Sequence, residues 1–264
     1  MKVVLFCGGL GTRLREYSET IPKPLANIGL RPIIWHLMKY YAEFGHKEFI
    51  LCLGYRGDMI KDYFLNYQET VSNDFVLSND GKQIDLLNTD LSDWKITFVD
   101  TGLKSNIGQR LKAIEPFLEG DEYFLANYSD GLSDIDINKQ IKDTKDKNAL
   151  ASFVMVRPSQ SFHAVEADND GLVHQIEHVS EAEYWINGGF FVLNKAIFDY
   201  MNEGDELVEE PFQRLIKEKK LYSTRYEGFW AAMDTFKDKK HLDDLYEAGS
   251  PPWMIWENDK SKTK

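Results

Sequence analysis

The residues with chemistry to offer are a lysine held between two prolines, a glycine-rich loop upstream of it, and two aspartates far downstream. Gly8-Gly9-Leu10-Gly11-Thr12-Arg13-Leu14 directly follows an apolar run that ends at Cys7. Glycines there let the backbone turn tightly and aim N–H groups at phosphate oxygens. The loop is not a dinucleotide fingerprint, which needs a glycine where Leu14 stands, nor a Walker loop, which needs Gly-Lys-Ser/Thr. Taken alone it is also compatible with a plain strand-to-helix turn. Ile21-Pro22-Lys23-Pro24-Leu25 follows, and its prolines predict an extended, pre-ordered stretch around Lys23. A lysine fixed beside a phosphate cradle neutralises charge at a phosphorus under attack. The bland alternative is a solvated lysine in a proline-bounded loop.

Asp130 lies in Asn127-Tyr128-Ser129-Asp130-Gly131, just past a predicted buried strand. That places it at the carboxyl end of a sheet, where open α/β folds bind ligands. Asp234 emerges from the apolar stretch Trp230-Ala231-Ala232-Met233. Two such carboxylates can hold one Mg²⁺; turn or helix capping is the other reading of each. Asp134-Ile135-Asp136 is a competing acidic pair that would suit a metal-dependent glycosyltransferase. Its place just before a helical pattern predicts capping instead.

Positioning these groups requires strands and helices in alternation. Lys2 to Cys7 and Glu48 to Leu53 are continuous apolar runs of the kind buried on both faces of a sheet. Ile34, Leu37, Met38 and Tyr41 recur at helical spacing, and Asp58 reads as the N-cap of a helix through Tyr67. Strands are predicted at Lys95 to Asp100 and Tyr123 to Asn127, with a helix around Gln109 to Phe117 between them. Residues 68–93 read as an inserted excursion with a hairpin at Asn79-Asp80-Gly81. The second half carries predicted strands at Ala149 to Arg157, Ala164 to Ala167, Val173 to Glu177 and Trp185 to Leu193. Asp168-Asn169-Asp170-Gly171 is a tight turn between two of them. Helical patterns return at Lys195 to Met201, Val208 to Lys219 and Lys239 to Ala248. The pattern predicts a Rossmann-like α/β fold, with a mostly parallel but mixed sheet flanked by helices. We read one domain over 1–264, with a nucleotide-binding half to about 135 and an acceptor-binding half after it.

Bulk properties narrow the function classes. With 43% hydrophobic and 28% charged residues, a 264-residue chain has an ordinary globular core. A net charge of −12 argues against a nucleic-acid surface and obliges any phosphate site to concentrate cations or N–H donors locally. No apolar run approaches a membrane span. Cys7 and Cys52 sit in apolar runs without metal-ligand spacing, which predicts core filler in a reducing, cytoplasmic compartment.

The order strand, Gly-Gly-Leu-Gly-Thr-Arg-Leu, Pro-Lys-Pro resembles the signature of the sugar-phosphate nucleotidyltransferases. The likeness continues through Pro32-Ile33-Ile34-Trp35-His36, Gly54-Tyr55-Arg56-Gly57, Val99-Asp100-Thr101-Gly102 and Ile186-Asn187-Gly188-Gly189-Phe190-Phe191. It ends with Met233-Asp234-Thr235 and Pro252-Trp253-Met254-Ile255-Trp256-Glu257, and is strongest to the glucose-1-phosphate cytidylyltransferases. The resemblance implies a GT-A-like nucleotidyltransferase fold. It also implies condensation of a nucleoside triphosphate, CTP favoured, with a sugar 1-phosphate such as glucose 1-phosphate or a variant, releasing pyrophosphate. Gly8, Gly9, Gly11, Thr12, Arg13, Arg110 and Tyr128 would hold the nucleotide, and Lys23, Arg13 and Asp130 would be catalytic. Asp130 and Asp234 would bind Mg²⁺. Glu177, His178, His163, Asn187 and Gly188 would meet the acceptor. The family also implies a homo-oligomer, consistent with six tryptophans and 13% aromatic residues.

Three segments depart from the family pattern. Glu177-His178-Val179 stands where Glu-Lys-Pro is usual, Phe162-His163 where Phe-Gly is usual, and Gln109 replaces a glycine before Arg110. Imidazole is a weaker phosphate partner than ammonium unless protonated. The two histidines therefore predict a changed acceptor; compensation by Arg157 or another cation is the other catalytic reading. A non-catalytic nucleotide-binding homologue is the alternative outside enzymology.

Overall fold

In a computed structural model of the chain, the described residues are 1–9, 21–158, 162–179 and 183–257. Gly11, Thr12 and Arg13 lie outside them. The elements run β1 (Lys2–Phe6), β2 (Asn27–Ile28), β3 (Arg31–Pro32), α1 (Ile33–Glu43), β4 (Glu48–Leu53) and α2 (Gly57–Leu65). Next come β5 (Phe75–Ser78), β6 (Gln83–Leu86), β7 (Lys95–Asp100), α3 (Ile107–Ile114), β8 (Tyr123–Tyr128), β9 (Gly131–Ser133) and α4 (Ile137–Asp146). After these are β10 (Ala151–Val156), β11 (His163–Ala167), β12 (Val173–His178), β13 (Ile186–Asn187) and β14 (Phe191–Asn194). The chain closes with α5 (Glu210–Lys217), β15 (Leu221–Tyr226), β16 (Trp230–Ala232) and α6 (Phe236–Glu247).

The main sheet has the order β13-β10-β14-β8-β1-β4-β7, with β15 also paired to β10. β8, β1, β4 and β7 are mutually parallel, whereas β14 runs antiparallel to both β8 and β10. The sheet is thus mixed, and it is continuous across the two halves of the chain. Side chains of β1 alternate between faces, as a strand period of two demands. Val3 and Leu5 join a core with Ile34, Leu37 and Tyr41 of α1, while Val4 and Phe6 join one with Leu111 and Ile114 of α3. Both faces are covered, which is why the strand reads as an unbroken apolar run.

Several boundaries differ from the sequence pattern, each for a local reason. Lys23 starts a single 3-10 turn, Lys23–Leu25, and only Pro22 before it is extended (φ −63°, ψ 143°). The N-cap of α2 is Arg56, in the left-handed region at φ 49°; Asp58 sits in the first turn and complements the helix dipole. The expected helix through Phe117 ends at Ile114 and tightens into a 3-10 turn holding Pro116. Residues 195–200 are likewise 3-10 rather than α. Trp185 to Leu193 is two strands, because Gly189 turns at φ +76° where a Cβ would lie 2.4 Å from the Asn127 carboxamide oxygen. The predicted hairpin is present, β5 and β6 joined through Asn79, Asp80 and Gly81, all at positive φ.

Candidate active site

The chain runs β1, β4, β7 outward in one direction and then returns to place β8 on the other side of β1. Ligands of open α/β sheets bind outside the carboxyl ends of strands at such a reversal. A cavity of about 540 Å³ opens there, lined by Gly8 and Gly9 after β1 and by Tyr128, Ser129 and Asp130 at the end of β8. Lys23, Arg110 and Asp234 complete the predicted part of its wall.

Lys23 is the hub. Its Nζ donates to a carboxylate oxygen of Asp130 and, at 2.8 Å, to Asp234 Oδ1, although 107 and 211 residues separate it from these partners. Burial works against the ammonium's charge, but the two carboxylates outweigh it and raise the pKa above its ordinary value. Asp234 is carried into place by β16, which pairs with β9 just after Asp130; Met233 N–H donates to Asp130 O at 2.9 Å. Helix α6 is capped by Thr235 and Asp238, and Asp234, just before the cap, lines the cavity. The acidic pair at 134 and 136 is spent on structure. Asp136 caps α4 through Lys139 N–H, and Asp134 accepts from Tyr226 Oη and Phe229 N–H.

Arg110 is 3% exposed, so it is not a solvent-facing helix residue. Its guanidinium donates to Leu53 O (3.0 Å), Thr101 Oγ1 (2.7 Å) and Gly8 O (3.0 Å), tying together the chain just past β1, β4 and β7. A Cβ on Gly8 would meet the guanidinium at 2.1 Å, so only glycine lets the loop start this close to the charge. Burial depresses the Arg110 pKa but leaves it cationic. Gln109 has a local role of its own: it forms a capping box with Asn106, the N-cap of α3.

The cavity has a wall that the sequence did not single out, formed by Lys104, Ser105, Asn106 and Glu206. The Glu206 carboxylate accepts from Ile107 and Leu207 N–H, and burial raises its pKa. The Asn106-x-x-Gln109 signature was available in the sequence; nothing local marks Glu206.

The five acceptor candidates do not line this cavity. Asn187 lies beside it, its amide 3.4 Å from Tyr128 Oη, and buried Gly188 offers its carbonyl to Trp230 Nε1 at 2.8 Å. His163 and Glu177-His178 stand on the β11–β12 ribbon, where His163 and His178 are directly paired with ring centroids 5.5 Å apart.

A divalent ion fits the donor set. Asp130 and Asp234 both reach one ammonium, so both can reach one cation, and carboxylate oxygen suits Mg²⁺. Among the described residues no group of three or more His, Cys, Asp or Glu gathers. The remaining positions would fall to water and phosphate oxygens, as Mg²⁺ sites commonly arrange.

Comparison with known proteins decides the family. The nucleotidyl transferase profile matches residues 2–248. The chain belongs to the nucleotidyl transferase family. It is 38% identical over 259 residues to glucose-1-phosphate cytidylyltransferase of Salmonella typhimurium, covering 97% of this chain and 100% of that protein. It is also 38% identical over 258 residues to the probable glucose-1-phosphate cytidylyltransferase of Bacillus subtilis, with the same coverage. Among solved structures, UDP-glucose pyrophosphorylase complexed with UDP-glucose superposes with a TM-score of 0.67 at 16% identity, over 94% of this chain and 98% of that one. HddC from Yersinia pseudotuberculosis complexed with GMP-PN gives 0.65 at 21%, over 93% and 99%. This nucleotidyl transferase therefore shares their fold, a mixed, mostly parallel sheet flanked by helices. Among its described residues no helix is long and apolar enough to cross a membrane.

Proposed function

We propose that the protein condenses CTP with a sugar 1-phosphate to give a CDP-sugar and pyrophosphate. The observation that carries the reading is the convergence of Lys23, Asp130 and Asp234 in the cavity at the strand-order reversal, beside Gly8, whose carbonyl accepts from Arg110. The choice of cytidine rests on the full-length likeness to glucose-1-phosphate cytidylyltransferases.

In this reading the acceptor's phosphate oxygen attacks the α-phosphorus in line and pyrophosphate leaves. Such transfers are driven by positioning and charge neutralisation rather than by proton abstraction. Backbone N–H groups of the loop starting at Gly8 and Gly9 receive the triphosphate. The Arg110 guanidinium adds fixed positive charge beneath them. Lys23 exchanges its carboxylate partners for phosphate oxygens and stabilises the charge that develops at the transferred phosphorus. Mg²⁺, held by Asp130 and Asp234, would neutralise phosphate charge and fix the geometry of the triphosphate. The paired imidazoles of His163 and His178 support an acceptor different in shape or charge from plain glucose 1-phosphate. Self-association is part of the proposal, supported by the exposed apolar β5–β6 hairpin. So is a cytoplasmic location, supported by two buried free thiols.

The test is pyrophosphate release over a grid of four nucleoside triphosphates and several sugar 1-phosphates. The expected result is release with CTP and at least one sugar 1-phosphate, abolished by chelation. Sugar transfer without pyrophosphate, or nucleotide binding with no product from any acceptor, overturns the assignment.

A further inference from the structure

Part of the cavity is walled by Ser105, Asn106 and Ile107, where α3 begins, and by Glu206. The Glu206 carboxylate is held there from several sides. Ile107 N–H donates to one oxygen at 3.2 Å and Leu207 N–H to the other at 3.1 Å. The Glu206 N–H donates to Glu210 Oε2 at 3.0 Å, and Asn106 Nδ2 donates to Gly204 O at 3.0 Å, tying this loop to the start of α3. Gly108 allows the close fit, since a Cβ there would lie 2.2 Å from Asp205 O. Asp205 is anchored in turn by an ion pair with Arg214. Burial first, and the Glu206 carboxylate next, push the phenol of Tyr128, another lining residue, up to about 12. The negative charge is fixed, and it is felt inside the cavity.

Such a charge is costly beside a phosphate site unless it recognises something. Among the described residues Glu206 forms no ion pair, and Glu209 and Glu210 add to the burial that raises its pKa. Backbone N–H groups take two of about four acceptor sites on the carboxylate, so capacity is left over. A triphosphate is repelled here, and the part of a nucleotide that meets Glu206 has to be an uncharged donor. Choosing cytosine over uracil calls for such a group. At ring position 4 cytosine carries an amino donor, whereas uracil, like thymine, carries a carbonyl acceptor. The side chains of Ser105, Asn106 and Tyr128 can both donate and accept, and backbone N–H groups only donate. An ionised carboxylate only accepts. Of the three carboxylates among the described lining residues, Asp130 and Asp234 are committed to Lys23 and the proposed metal, which leaves Glu206.

We propose that Glu206 selects the base: its carboxylate accepts from the 4-amino group of cytosine and turns away uracil, whose 4-oxo oxygen would face the same negative charge. In this role Glu206 presupposes the proposed reading of the cavity as a CTP site and supplies its selectivity.

Calorimetric titration of the full chain with CTP and with UTP, with Mg²⁺ and without acceptor, tests selection apart from the reaction. The parent is expected to bind CTP at least about tenfold tighter than UTP, the worth of one hydrogen bond to a charged group. A CTP analogue with hydrogen in place of the 4-amino group is expected to lose the same factor, at least about tenfold. That arm uses the unaltered protein and so stands even where a variant does not fold. Glu206→Gln keeps the shape but can donate as well as accept, and is expected to bring the two affinities within about threefold of each other. A parent without preference for CTP overturns the proposal, as does full affinity for the 4-hydrogen analogue or an unchanged ratio in the variant. Equal weakening of CTP and UTP in the variant, with 2′-deoxy-CTP unaffected, also overturns it and gives the carboxylate to the ribose. A parent that selects CTP through Glu206 yet releases no pyrophosphate with any acceptor fails the proposed reaction alone. Pyrophosphate release from CTP with an unchanged ratio in the variant fails Glu206 alone, and a parent that binds neither nucleotide fails both.

Discussion

One ammonium does two jobs at the residue scale. Without substrate, Lys23 keeps Asp130 and Asp234 from repelling each other in a partly buried site; their side chains are 15%, 22% and 38% exposed. With its pKa raised, the lysine stays charged throughout the neutral range and does not set the pH profile. The same ammonium stands where a cation between the two carboxylates would go. Lys23→Ala is therefore expected to slow turnover by about a hundredfold or more while tightening Mg²⁺ binding in the absence of nucleotide. Steady-state kinetics and calorimetry check the pair, and an unchanged Mg²⁺ affinity would show that the lysine does not compete with the ion for the two carboxylates. Local setting, a proline-bounded lysine or an aspartate just past an apolar strand, marked these three residues as candidates, and the family resemblance chose between function and turn or cap. Arg110 was only half legible. Its burial beneath Gly8 is created by three strand ends meeting, which no local pattern encodes. Glu206 joins the cavity through backbone contacts made from 99 residues away, and its neighbourhood reads as an ordinary acidic loop.

At the scale of elements, α1 connects the active site to the chain's end. Ile33 N–H donates to Ala26 O at 2.9 Å, just past the turn that carries Lys23, and His36 sits 1% exposed on the next turn of the helix. Its Nδ1 accepts from Trp253 Nε1 at 3.3 Å, so the neutral ring donates from Nε2 to Ile28 O at 3.0 Å. Protonation would set N–H against N–H. Burial accordingly lowers the His36 pKa from 6.5 to about 4. A depressed histidine binds its proton more readily when the chain is unfolded, so stability is full above pH 6.5 and is lost as pH falls toward 4. The difference of 2.5 pH units (6.5 − 4) is on the order of 3 kcal/mol. His36→Phe is expected to be less stable than the parent at pH 7.5 but to lose less Tm between pH 6.5 and 4.5; parallel melting curves would refute the role. Elements themselves were well marked wherever a strand is buried on both faces, as in β1, β4 and β8. What sequence periodicity missed is where tertiary contact interrupts a run, as Asn127 does at Gly189, or where the chain turns through an unusual φ, as at Arg56.

For the whole molecule, two of its two-stranded ribbons carry uncovered apolar surface. β5–β6 leaves Phe75, Val76, Leu77, Ile84 and Leu86 between 38% and 57% exposed, on both faces of the hairpin. β11–β12 leaves Val165, Val173 and Ile176 between 53% and 65% exposed. A two-stranded hairpin is marginal in water by itself, and exposed apolar patches on otherwise polar proteins mark contact surfaces. The net charge of −12 opposes random association of copies, so a contact that forms must be local and apolar enough to outweigh it. The proposed self-association through β5–β6 would satisfy both conditions and complete the hairpin's burial. Leu77→Asp combined with Ile84→Asp is expected to lower the mass measured by light scattering at micromolar protein, at least to a smaller assembly, without lowering the melting temperature of α1 and the main sheet. The hairpin's own amides should then exchange with solvent faster than in the parent. An unchanged mass would assign the association to another surface, and a monomeric parent would remove it altogether.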